Sequence, residues 1–279
     1  MNKVNIISIQ INPKIGRKKE NIKKVESLLE TSVKNFGSNP DLILMPEFFN
    51  TGISLPEFQK LAEVPEKNET LDCIKDVALH YNSYVLAGSI MEKENNKFYN
   101  TSRLLDRNGE EIAVYRKIHL FDSFGGTEHT YSEAGDEYVV VDTDFGKLGL
   151  SVCFDIKFPL QYIELVKKGA EVIVAPSAWS APINLLNEYT DNWILMNKAR
   201  AFDNLVYFVS SNLCGKVDSC LSSCGHSMIV SPDGKVLSDA GEYEGAACAQ
   251  IDMDFLRTYR SQLCMENLWK SIEKLECKR

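Results

Sequence analysis

Three residues of reactive type stand just past three short apolar runs. Glu47 follows "DLILMP", Lys117 follows "EIAVYR" and Cys153 follows "KLGLSV". In sheets built from βα units, ligands collect in the crevice beyond the carboxyl ends of the strands, so these residues are candidates for one site holding a base, a cation and a nucleophile. A thiol with a pKa of about 8.5 is only a few per cent thiolate at neutral pH and needs a base or a positive charge beside it. Glu47 can be that base and Lys117 that charge. A lysine held next to the reacting carbon also stabilises the oxyanion of a tetrahedral intermediate, together with the backbone N–H of Phe154, the residue after the thiol. No histidine is required. Of His80, His119, His129 and His226, the first lies within a helical pattern and the second falls just past Lys117. The residues around Cys153 also lack the framing of a papain-like nucleophile.

Each of the three has a plainer reading. Glu47 could stabilise a helix start, Lys117 could be a solvated strand end, and Cys153 could be a small buried hydrophobe. Their joint occurrence favours chemistry. Cys214, Cys220 and Cys224 near His226 suggest a metal site, but their spacings, C-x5-C and C-x3-C, are not the paired C-x2-C of zinc modules, and no metal is expected.

The elements that must position these residues are strands alternating with helices. "VNIISIQ" reads as a strand, and "RKKENIKKVESLLETSVKNF" places Ile22, Val25, Leu29 and Val33 on one helical face before Gly37. Its basic residues read as a solvated face. "NETLDCIKDVALHYN" predicts a second helix capped by Asn68 or Thr70, and "YVLAGSI" a strand. "FYNTSRLLD" and "EIAVYRK" flank an Asn-Gly hairpin signal. "YVVVDT", "KLGLSV", "EVIVAP" and "LVYFVSS" are further strands, with helices over "LQYIELVKKG" and "NEYTDNWILMNKARAFDN". A late hairpin turns at "SPDG", and "AACAQIDM" is the last clear strand. The pattern predicts one α/β domain.

With 279 residues, 44% hydrophobic and 25% charged, the chain carries enough apolar material for a sizeable core. Its 31 Lys and Arg against 39 Asp and Glu, a net charge of -8, give no electrostatic footprint for nucleic acid. No apolar run approaches the roughly 18 residues of a membrane span, and the first residues do not read as an export signal, so a cytoplasmic protein with no membrane association is expected. The eight cysteines accordingly read as free thiols.

"LILMPEFF", "YRKIHLF" and "GLSVCFDIKFP" are similar, in order and spacing, to the three signature blocks of the nitrilase, or carbon-nitrogen hydrolase, superfamily. The likeness continues through "EHTYSEAGDEYVVVDTDFGKLGL", "GAEVIVAPSAW", "KARAFDN", "GHSMIVSPDGKVL" and "QIDMDFL", and so covers nearly the whole chain. This resemblance implies an α/β fold of the four-layer αββα sandwich type, a single domain over residues 1–279, and assembly into a homodimer or a larger homo-oligomer. It implies a Glu-Lys-Cys triad, with Glu47 as general base and acid, Lys117 as oxyanion stabiliser and Cys153 as nucleophile. A second glutamate is typical of the family eight residues before the Asp of its "GD" step; counting back from Asp136 reaches Glu128, which would orient Lys117 and the incoming water. No cofactor is implied.

The substrate is then a small amide or ureido compound. Cys153 attacks a C(=O)–N carbon, ammonia or an amine leaves with a proton from Glu47, and water hydrolyses the thioester. "CFD" at the nucleophile resembles amidases and carbamoylases rather than the "CWE" of true nitrilases. An ω-amidase-like or aliphatic amidase is the leading reading, with an N-carbamoyl amine or amino-acid hydrolase as the alternative and a nitrilase or an inactive scaffold behind it. Lys157 stands where many members carry an arginine that in some carbamoylases grips a substrate carboxylate; it keeps the charge without the fork. A surface ion pair is its other reading. Leu160 replaces the usual acidic residue after "FP", which puts the local turn in question. Trp179 and Trp193 are expected as apolar pocket walls.

Overall fold

The computed structural model describes residues 2–53, 57–65, 67–122 and 126–263. The apolar strands of the first half send alternate side chains to two different cores, as the pleat dictates. In β1 (Lys3–Gln10), β2 (Leu42–Leu44) and β3 (Tyr84–Leu86), the residues Val4, Ile6, Leu42, Leu44 and Leu86 join one buried cluster. Ile7, Ile9, Ile43 and Val85 join a second cluster with Val25 and Leu29 of α1 (Lys18–Phe36). After the short α2 (Phe58–Leu61), α3 (Glu69–Tyr81) adds Ile74 and Val77 to that second cluster. Asn68 caps α3 by accepting the Leu71 N–H at 2.9 Å.

Two hairpins follow: β4 (Ile90–Glu94) with β5 (Lys97–Leu105), and β5 with β6 (Glu111–Arg116). The first was not anticipated, although Asn95 and Asn96, at φ 49° and 62°, make the two-residue turn that favours asparagine. The second carries the expected Asn-Gly, but only Gly109 is left-handed; Asp106 Oδ1 accepts the N–H groups of Asn108 and Glu110 at 2.8 and 2.9 Å and shapes a longer turn.

The second half builds β7 (Val140–Thr143), β8 (Gly146–Leu150), α4 (Pro159–Lys167), β9 (Val172–Ser177), β10 (Ser180–Pro182), α5 (Leu186–Asn204), β11 (Tyr207–Asn212), β12 (Cys214–Lys216), β13 (Leu221–Cys224), β14 (Met228–Val230), β15 (Val236–Asp239), β16 (Gly245–Asp252) and α6 (Met253–Gln262). One sheet runs β16-β1-β2-β3-β5-β4 with β6 on β5; another runs β15-β14-β11-β9-β8-β7; β10, β13 and β12 form a small third sheet absent from the sequence reading. The two large sheets stack through β1 and β11, where Ser8 Oγ donates to the Ser210 carbonyl at 2.7 Å. α1 and α3 cover one outer face, and Tyr162 and Leu165 of α4 with Trp193 and Ala201 of α5 cover the other. The result is the expected αββα sandwich.

The strand directions decide where the candidate residues emerge. β1, β2 and β3 are parallel; β5 is antiparallel to β3, and β6 to β5, so β6 points the same way as β2. In the other sheet β8, β9 and β11 are parallel. A parallel bridge between Ile11 and Leu213 brings the carboxyl ends of β1 and β11 side by side. The ends of β2, β6, β8 and β9 therefore open onto one edge of the sandwich. Among the described residues no helix is long and apolar enough to cross a membrane, and no cluster of three or more His, Cys, Asp or Glu could hold a metal. Cys264 and Cys277 lie outside the described residues.

Candidate active site

Glu47 leaves the end of β2 through a tight turn. Phe48, immediately after it, is in the left-handed region at φ 55° and donates its N–H to the Ser89 carbonyl at 2.7 Å. The neighbouring chain must come very close: a Cβ on Gly88, whose own φ is +57°, would lie 2.1 Å from the Pro46 carbonyl oxygen. Only glycine fits there. Lys117 follows β6, with its N–H on the Asn100 carbonyl and its own carbonyl accepting from Gly135, both at 2.9 Å. Gly135 meets the same requirement, since a Cβ would stand 2.3 Å from the Arg116 oxygen.

β8 ends at Leu150, and Cys153 opens a 3-10 turn, Cys153–Lys157, at φ 47°. A left-handed cysteine costs about 1–3 kcal/mol and needs its surroundings to hold it. Asp155 does so. Its buried carboxylate accepts from Val152 N–H at 2.8 Å, Tyr115 O–H at 2.6 Å and His119 N–H at 3.0 Å, with His119 Nδ1 at 2.9 Å. Tyr115 belongs to β6, so one carboxylate ties the Cys153 turn to the strand that delivers Lys117. His119 stacks on Phe158 with ring centres 3.7 Å apart.

These supports bring the expected residues together. Lys117 Nζ donates to Glu47 Oε1 at 3.1 Å and to Glu128 Oε2 at 2.8 Å, and all three side chains are only 2% exposed. Glu128 sits in the 3-10 turn Glu128–Thr130 and also accepts the Phe121 N–H at 2.7 Å. Glu47 Oε2 accepts the Ala178 N–H, just past β9, at 2.8 Å. The Cys153 thiol is buried within the influence of Glu47, Lys117 and the same Ala178 N–H. Burial pushes that thiol well up, the charge of Glu47 adds to the rise, and Lys117 opposes it. The sulfur therefore rests protonated against a carboxylate. Burial pulls the Lys117 ammonium down, but Glu128, Glu47 and Cys153 outweigh it and hold it well above the usual lysine range. Phe154 N–H precedes the first bond of the 3-10 turn, from Asp155 N–H to the Val152 carbonyl at 3.1 Å, and is one of the donors such a turn leaves without an internal partner.

A buried thiol, a carboxylate touching it and a lysine clamped between two carboxylates can do acyl transfer at a carbonyl carbon. Residues 6–261 match the family model described as carbon-nitrogen hydrolase. The chain belongs to this family. It is a hydrolase of carbon–nitrogen bonds other than peptide bonds.

Carbon-nitrogen hydrolases similar to this chain include the deaminated glutathione amidase of Dictyostelium discoideum, 32% identical over 282 residues that cover 96% of this chain and 94% of the relative. The 2-oxoglutaramate amidase of Bacillus subtilis is 32% identical over 89% of this chain and 90% of its own. The omega-amidase NIT3 of Saccharomyces cerevisiae is 29% identical over 92% and 90%. The crystal structure of Saccharomyces cerevisiae Nit3, a member of branch 10 of the nitrilase superfamily, superposes with a TM-score of 0.84 at 27% identity, covering 94% of each chain.

Of the two tryptophans expected as pocket walls in this carbon-nitrogen hydrolase, one departs from expectation. Trp179, one residue past the Ala178 N–H that Glu47 accepts, is buried at 7% exposure with its backbone N–H on Asn212 Oδ1 at 2.8 Å. Trp193 is fully buried, stacks behind Trp179 at 5.5 Å and donates its indole N–H to the His226 carbonyl at 2.9 Å, so it backs the wall rather than forming it. Lys157 is exposed, with its ammonium 5.9 Å from the Trp179 ring centre and no ion-pair partner among the described residues. The turn that Leu160 put in question is intact: Asp155 and Pro159 hold it, and Leu160 points outward at 73% exposure. The sequence reading missed Asn100, whose Nδ2 lies 2.7 Å from Glu47 Oε1 and 3.0 Å from Glu128 Oε1. It missed Asp155 and the Ala178 N–H as well. A polar run, Asn100-Thr101-Ser102-Arg103, inside a predicted strand was the one signal available for Asn100.

Proposed function

We propose that this chain is an ω-amidase-like enzyme that releases ammonia from the terminal amide of a small carboxylate-bearing substrate. The observation that carries the reading is the Lys117 ammonium held between Glu47 and Glu128, with the Cys153 thiol against Glu47. Because the thiol rests protonated, Glu47 removes its proton as the sulfur attacks. Lys117 and the Phe154 N–H stabilise the oxyanion, and preorganised donors of this kind are worth about a hundredfold or more in rate each. Glu47 then protonates the leaving ammonia. Glu128 holds Lys117 in place and orients the water that Glu47 activates against the thioester.

Lys157 supports a substrate carboxylate. An exposed ammonium beside Trp179, without a counterion among the described residues, is available to one, and the relatives' names include an amidase of 2-oxoglutaramate, itself a carboxylate with a terminal amide. The test is ammonia release by wild type and Cys153→Ala over dicarboxylic ω-amides, N-carbamoyl amino acids, N-carbamoyl amines, aliphatic amides and nitriles. Turnover of ω-amides by wild type alone is expected; preferred hydrolysis of N-carbamoyl compounds would replace the amidase reading with a carbamoylase. Equal turnover by both forms would remove Cys153 from the mechanism.

The whole chain serves in this reading as one cytoplasmic hydrolase domain. It works as a homodimer through the face of α4 and α5, where Leu160, Leu195 and Phe202 are 73%, 65% and 54% exposed. Light scattering of wild type and Phe202→Lys tests this, with a monomeric wild type as the refuting result.

A further inference from the structure

Among the described residues, two side chains bond both carboxylates of the site. One is Lys117; the other is Asn100, on β5 and 1% exposed. Its orientation is set by its neighbours. Turned over, its amide oxygen would face two carboxylate oxygens, so both contacts come from Nδ2, and Oδ1 is left without a partner. The side chain forgoes a bond on its acceptor to present its donors.

Counting donors on Glu47 shows the consequence. Oε1 receives two, from Asn100 at 2.7 Å and Lys117 at 3.1 Å, and an ionised carboxylate oxygen has about two lone-pair sites. It has no site left for a proton. Oε2 receives one backbone donor, the Ala178 N–H at 2.8 Å, and keeps one site free.

We propose that Asn100 is a positioning residue that, with Lys117, confines the travelling proton to Oε2 of Glu47. This rests on Glu47 being the base. The Cys153 S–H proton moves to Oε2 as the S–C bond forms and the carbonyl electron pair moves onto oxygen. It passes to nitrogen as the C–N bond breaks and ammonia leaves. A water proton then reaches Oε2 as the water oxygen bonds to the acyl carbon, and returns to sulfur as the C–S bond breaks. Each transfer uses the same oxygen, so the carboxylate never has to rotate against Lys117.

The test compares Asn100→Ala and the isosteric Asn100→Asp with wild type, with thermal unfolding recorded for each. Asn100→Ala is expected to lower kcat about ten- to a hundredfold with little change in KM, the effect of losing hydrogen bonds to a charged group that act during proton transfer. Asn100→Asp is expected to lose more, because it replaces donors with a third carboxylate; a packing role predicts the opposite order. A second readout needs no substrate: iodoacetamide alkylation of Cys153, followed by peptide mass spectrometry against pH. In Asn100→Ala the pH profile is expected to differ from that of wild type, since the carboxylate that takes the thiol proton has lost a donor. Wild-type kcat and an unchanged alkylation profile in both variants would overturn the proposal. A wild type that hydrolyses no amide, yet whose alkylation still depends on Asn100, supports the role and sinks the substrate reading instead.

Discussion

Replacing Lys117 by methionine keeps the length of the side chain and removes its charge. At 3.1 and 2.8 Å from Glu47 and Glu128, each attraction is about 5–6 kcal/mol at an effective dielectric constant of ~20. The ammonium also carries its own desolvation cost of several kcal/mol, so the loss on breaking such a buried cluster is about 3–5 kcal/mol. For a chain of this size that is a fall in Tm of roughly 10 °C. The pH dependence adds a sign. Lys117 is held above its unfolded value, so its stabilisation is present below about pH 10.4 and is lost as the pH rises through the folded value. The methionine variant lacks that alkaline loss. Thermal unfolding by circular dichroism from mildly acidic to alkaline pH reads all of this, and ammonia release reads the accompanying loss of activity. A variant as stable as wild type at neutral pH, or one that keeps the wild type's alkaline loss, would refute the charge balance described for the site.

Lys157→Met is expected to raise KM for dicarboxylic ω-amides about tenfold or more and to leave neutral aliphatic amides unchanged, as uniform loss of a charged contact does; equal effects on both classes in steady-state assays would remove Lys157 from substrate binding. Gly88→Ala must push back the Pro46 carbonyl, 2.1 Å from the new methyl, and with it Glu47. A displacement of that order costs about a hundredfold in kcat, and a variant with wild-type kcat would show that the turn yields elsewhere.

What sequence alone determined is the local part of this protein. The short apolar runs "DLILMP" and "KLGLSV", helical spacing in α1 and the reactive residues just past the strands follow from the chain's own pattern, and their spacing together carries the family likeness. Glu47, Lys117, Cys153 and Glu128 were legible because each is a reactive type in a recognisable frame. What only the tertiary structure decided is which neutral groups meet them. Asn100 reaches Glu47 across 53 residues and Ala178 reaches it across 131, because the sheet places β5 beside β6 and stacks β9 over the end of β2. Trp193 looked like a wall and is a backing, since burial on α5 depends on how the helix lies on its sheet. Lys157 kept two readings in the sequence for the same reason: whether a lysine finds a counterion depends on which surfaces fold against it, and no local pattern encodes that.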